Sequence, residues 1–173
     1  MRDIVAAAID QLCAAFERYG YNPTPIIDLG VLVVIADGVV DDKEREVLLD
    51  LFQTLLDTKL SPEVVDHLVT ASVQVVEAAG AESRARLIAE ILVDCDAVEP
   101  GILVALAVAY ASEGLSSEEQ KVIERIADAA KLPRARLDRL IGRVRLRADG
   151  GDPMSVRSLL AAAPSSSPSA PGR

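Results

Sequence analysis

Apolar positions recur at every third or fourth residue along almost the whole chain, and strand-like alternation is nearly absent. The pattern predicts an all-α fold, a single compact domain of about seven to eight helices. Ile4, Ala8, Leu12, Ala15 and Phe16 place one apolar stripe on a first helix that stops at Gly20. Asn22-Pro23-Thr24-Pro25 turns the chain, and Ile26 to Ala36 follow as a helix apolar nearly all round. Such a helix belongs in the centre of a domain. A third helix from Asp42 carries Val47, Leu48, Leu51, Phe52 and Leu55 on one side. Ser61-Pro62-Glu63 opens a fourth, with an N-cap serine and a first-turn proline, and Gly80 closes it. Leu87, Ile88, Ile91, Leu92 and Cys95 define a fifth. Pro100-Gly101 predicts a break before a second fully apolar helix, Ile102 to Ala111. Two more helices carry Val122, Ile123 and Ile126, and then Leu137, Leu140, Ile141 and Val144.

The pattern repeats. Ile26 to Gly38 overlays Ile102 to Gly114 at an offset of 76, and Glu44, Val47, Leu48 and Leu51 overlay Glu119, Val122, Ile123 and Ile126 at 75. The expected architecture is therefore two pseudo-repeated helix-corner-helix units whose buried central helices pack against each other. This domain is expected over residues 1–148. From 149 to 173 the chain turns rich in Gly, Ser and Pro, the composition of a flexible tail.

Half of the 173 residues are apolar and 26% are charged, which fits a globular protein. No apolar run approaches the roughly 20 residues needed to span a bilayer, so no transmembrane segment is expected. No basic segment leads into an apolar stretch at the start, so no signal peptide is expected either. Cys13 and Cys95 lie outside any CxxC pattern and fit two buried thiols in the reducing cytoplasm. His67 is the only histidine and reads as a half-exposed helix residue. The net charge of −9 argues against nucleic-acid binding, which needs a basic surface. That charge is uneven: residues 131–147 hold seven basic residues and one acid, a local +6, which leaves −15 on the remainder.

Candidate chemistry sits in the two corners. In Ile35-Ala36-Asp37-Gly38-Val39-Val40-Asp41-Asp42-Lys43-Glu44, Gly38 suits the position after a helix end. Asp41 stands three residues before Glu44, the spacing of a capping box. The second corner has the same grammar, with Gly114 and then Ser116 three before Glu119. Capping accounts for these residues without a ligand but leaves Asp37 and Asp42 unexplained. The alternative is an oxygen-rich concavity in which Asp37, Asp41 and Glu44, with Asp42, hold a hard divalent cation such as Ca²⁺ or Mg²⁺. It is not an EF-hand, because the 12-residue loop of alternating ligands is absent. No Ser/His or Cys/His pairing and no phosphate-cradling glycine loop accompanies the carboxylates, so an enzyme is not expected.

The stretches "VIADGVVDDKEREVLLDLF" and "ALAVAYASEGLSSEEQKVIERIADAAKL" resemble the two halves of the tellurite-resistance TerB family, whose hallmark is an A-D-G-x-x-D-x-x-E corner that recurs later in the chain. The resemblance covers roughly residues 5 to 142. It implies an all-helical module of tellurite and general stress resistance, with metal held through acidic corner residues. Carried over by position, those are Asp37, Asp41 and Glu44, and in the second corner Glu113 and Glu119. Glu113 and Ser116 stand there in place of Asp37 and Asp41, so the second site is expected to be the weaker.

Two features suit a protein partner. Arg134, Arg136, Arg139 and Arg143 lie on a helix whose apolar residues face the core, so their charges form a solvated face or dock an acidic partner or a second copy, a homo-oligomer. In the tail, Met154-Ser155-Val156-Arg157-Ser158-Leu159-Leu160 follows Gly150-Gly151. Short apolar segments on flexible linkers dock into partner grooves. The V-x-S-L core, Val156, Ser158 and Leu159, is similar to the cargo-loading peptides that target proteins into encapsulin shells. A chance match or a self-docked turn is the other reading.

Overall fold

Nine consecutive residues, 26–34, are buried without exception, and so are nine more, 101–109. They belong to the second and fifth of the seven α-helices whose bounds fall among the described residues of a computed structural model, which describes residues 2–22, 24–37, 42, 45, 48, 49, 61–111 and 114–148. The helices are α1 (Arg2–Tyr19), α2 (Thr24–Val34), α3 (Pro62–Ala79), α4 (Ala81–Asp94), α5 (Val98–Ala111), α6 (Ser117–Ala129) and α7 (Arg134–Ala148), with a 3-10 turn at Ile35–Asp37. Among the described residues there is no strand. Of the predicted third helix, Asp42, Arg45, Leu48 and Leu49 are described and helical, with Leu48 fully buried.

The twin helices α2 and α5 pack against each other, as the repeat requires. Around them α1 and α7 lie on α5, α3 and α4 lie on α2, and α6 lies on α4. Leucine, isoleucine, valine and alanine fill this interior, with Leu12, Leu29, Leu106 and Ile123 fully inaccessible. Each such large side chain contributes about 1.5–3 kcal/mol by leaving water.

Three helices end in the same way. After α1 the amide of Tyr21 donates to the carbonyl of Phe16 at 2.9 Å and that of Gly20 to Glu17 at 3.2 Å. The rings of Phe16 and Tyr21 meet at 6.0 Å between centroids, which adds the apolar contact that belongs to this Schellman geometry. The ends of α4 and α6 repeat it through Ala97 to Leu92 and Leu132 to Ala127, with Asp96 at φ 51 and Lys131 at φ 57 in the left-handed position that Gly20 fills after α1.

Two local expectations need correction. Pro100-Gly101 does not break the chain. The break falls earlier, at Cys95–Ala97, and α5 starts at Val98 with Pro100 in its first turn, where the missing N–H costs no helix bond. Gly101 has a packing reason instead: a Cβ there would lie 2.7 Å from both methyl carbons of Leu92 on α4. Ser61 does stand at the N-cap of α3, extended at φ −73 and ψ 154, but its side chain makes no capping bond to the helix amides.

Candidate functional site

The second corner joins α5 to α6. Gly114 turns it at φ 102, a conformation costly for any other residue. Ser116 then extends at φ −71 and ψ 164. Its Oγ accepts from the Glu119 amide at 3.2 Å, and Glu119 Oε2 accepts from the Ser116 amide at 2.7 Å, a closed capping box. Glu119 is only 5% exposed. A carboxylate in that position satisfies an end amide that burial would otherwise leave unpaired. Beside it Lys121 Nζ donates to Glu118 at 2.6 Å, and this bond holds the exposed Glu118 carboxyl below its ordinary range. Glu113 lies outside the described residues.

In the first corner, Asp37 closes the 3-10 turn that continues α2, and Asp42 is helical and exposed. The side chain of Asp37, and Asp41 and Glu44 altogether, lie outside the described residues, as does the capping box expected of them. Among the described residues no three His, Cys, Asp or Glu side chains come together in a way that could hold a metal.

Four arginines of α7, those singled out in the sequence, divide into two pairs. Arg134 joins Glu124 of α6 through Nη1 at 2.9 Å and Asp138 through Nε at 2.9 Å. Glu124 accepts also from Gln120, and these bonds, Gln120 first, lower its pKa. Arg136 pairs with Glu99 of α5. These two fasten α7 to the domain. Among the described residues Arg139 donates only to the Ala135 carbonyl, one turn earlier in its own helix, at 3.2 Å, and Arg143 has no ion pair. Val156, Ser158 and Leu159 lie outside the described residues.

A polar pair that the hydrophobic pattern did not reveal lies within the core. Asp28, 8% exposed on α2, accepts from Nη2 of Arg84 on α4, while Arg84 Nε is buried without a partner among the described residues. The signal for half of it was a lone carboxylate in an apolar run; nothing in the spacing named Arg84. The other singled-out residues are quiet: His67 is exposed, with Nδ1 2.6 Å from the Glu63 carbonyl. Cys95 is buried and Cys13 half-buried, both free. Burial, with Asp10 and Glu17 nearby, pushes the Cys13 thiol up.

No helix among the described residues is long and apolar enough to cross a membrane. No curated protein and no solved structure matches the chain. The family model of the tellurite resistance protein TerB does, over residues 24–141, from the start of α2 into α7. That span holds both corners and both central helices, more than half of the 173 residues. The chain belongs to the TerB family.

Proposed function

We propose that this chain is a non-enzymatic TerB-type binding and scaffold module of a tellurite-resistance stress system, and that its first corner takes a divalent cation weakly. The observation that carries the reading is the contrast between the corners. The second is closed on itself by Ser116 and Glu119. The first places Asp37, Asp41, Asp42 and Glu44 within eight residues, and a capping box there engages only Asp41 and Glu44. Two carboxylates are left over, and oxygen ligands of this kind suit Ca²⁺ or Mg²⁺.

An open corner leaves much of the coordination shell to water, so binding belongs in the weak range of about 10⁻⁴–10⁻³ M. Calorimetry with Ca²⁺ and Mg²⁺ tests it. At a cation concentration ten times the dissociation constant, the wild-type protein gains about 1.4 kcal/mol of stability. Asp37→Asn abolishes that gain and leaves the metal-free melting temperature unchanged, because Asp37 is not part of the cap. No binding heat and no melting shift from the wild-type protein overturn the cation half of the reading.

A second role rests on the V-x-S-L core at Val156, Ser158 and Leu159 after Gly150-Gly151: recruitment as cargo or adaptor into a larger assembly such as an encapsulin shell. Deleting residues 150–173 then removes co-purification of the assembly while the helical circular dichroism persists. Undiminished co-purification rules the role out.

A further inference from the structure

Two outward helix faces carry matching patterns in opposite order. On α4 the buried residues are Ala85, Ile88, Ala89 and Leu92, which turns Leu87, Glu90 and Asp94 to solvent. On α7 the buried residues are Leu137, Leu140 and Val144, which turns Arg139, Gly142, Arg143 and Leu146 outward. Glu90 and Asp94 are four residues apart and have no ion pair among the described residues. Arg139 and Arg143 are likewise four apart and have no carboxylate partner there. Each pair has an exposed leucine three residues away, Leu87 at 42% before Glu90 and Leu146 at 77% after Arg143. Leu146 is far more exposed than a leucine with an apolar neighbour needs to be.

We infer that α7 of one copy lies antiparallel on α4 of a second copy, with Arg139 on Asp94, Arg143 on Glu90 and Leu146 against Leu87. All three matches follow from one register, because the spacings 139–143–146 and 94–90–87 are the same read in opposite directions. Charges four apart on a helix stand about 6 Å from each other, so both arginines meet both carboxylates at once. Gly142 lies between the arginines, where a Cβ would meet open space, and leaves room for the partner helix to approach. The complementary charge is in the same chain, which makes a second copy the occupant. Among the described residues neither face is used within one copy, where α7 packs on α5 and α4 packs on α2, α3, α5 and α6. Engaged reciprocally by two copies, the contact is isologous and closes as a two-fold dimer; engaged on one side only, it is heterologous and extends into a ring or chain. The contact rests on the scaffold reading, for which it names one partner, and its failure leaves the cation measurement above unaffected.

Sedimentation of the full chain at about 0.5 mM, in about 50 mM and about 500 mM salt, tests the inference, since exposed charge contacts weaken as the Debye length falls. The wild-type protein associates, about tenfold more weakly at the higher salt. Arg139→Glu/Arg143→Glu is monomeric, its two faces both acidic. Glu90→Arg/Asp94→Arg is monomeric, its two faces both basic. Mixing the two variants restores association, because each then meets its complement, and this outcome also proves both folded. A monomeric wild-type protein at low salt, association that survives either double substitution, or a mixture that stays monomeric overturns the inference. Capture of an acidic foreign protein by a monomeric wild-type chain overturns it equally.

Discussion

The twin central helices α2 and α5 are both braced by α4, at its two ends and by different chemistry. Near the start of α4, Arg84 reaches Asp28 of α2 in an ion pair whose side chains are 20% and 11% exposed. Near its end, the methyl carbons of Leu92 press on the bare backbone of Gly101 in α5. The first contact fixes orientation through charge and the second through close approach. A repeated unit thus keeps its helices in equivalent places while the contact that registers each of them has diverged. A wholly apolar helix slides easily against another apolar surface, and each twin carries one position that resists sliding.

Removing the charge is expected to break the comparison hardest. Asp28→Ala leaves Arg84 largely buried without a counter-ion, a change that costs about 3 kcal/mol. Replacing both partners, Asp28→Leu with Arg84→Met, restores all but about 1 kcal/mol, because a filled apolar contact substitutes well for a buried pair. Urea unfolding of the wild-type protein and the two variants checks this, and a double variant as unstable as Asp28→Ala contradicts it.

Filling the notch at the other twin comes next. Gly101→Ala forces Leu92 from a packed position and costs about 2 kcal/mol. The two sites touch, so the substitutions are not additive: Leu92→Ala is less damaging in the Gly101→Ala protein than in the wild-type protein. Equal costs in both backgrounds remove the notch as the reason for glycine.

The smallest effect carries the comparison into the corners that follow the twins. Ser116→Ala removes one half of the cap on α6 and costs about 1 kcal/mol, read from the melting temperature. Asp41→Ala, at the corresponding place in the first corner, is expected to cost about the same in the absence of metal. A first-corner effect near zero means that the corners are alike in sequence but not in mechanics.

What could be read from the sequence follows from what periodicity records. The stripes on α1, α6 and α7 and the saturated runs of α2 and α5 report burial, which is a property of each helix by itself. The Ser116–Glu119 cap was legible because its two partners are three residues apart. Asp28 with Arg84 was not, since the partners are separated by 56 residues and an arginine in an amphipathic helix resembles any solvated charge. Pro100 misled because proline stops a helix interior yet is welcome in a first turn, and only the position of the preceding break separates the two cases. Ser61 occupied its expected place without its expected bond, because the N-cap position is set by backbone dihedrals and the hydroxyl is free to turn elsewhere.

The pair inside the core also bears on the order in which the chain assembles. Asp28 loses its water when α2 is covered, and its counter-charge arrives only when the chain has closed across 56 residues. Early collapse around α2 therefore exposes a charge to an apolar setting with nothing to answer it, which disfavours that route. The expected route keeps α2 partly hydrated until α4 docks, with the contact forming after the transition state. Asp28→Ala then accelerates unfolding and leaves the refolding rate nearly unchanged, a kinetic signature of a lock that closes last.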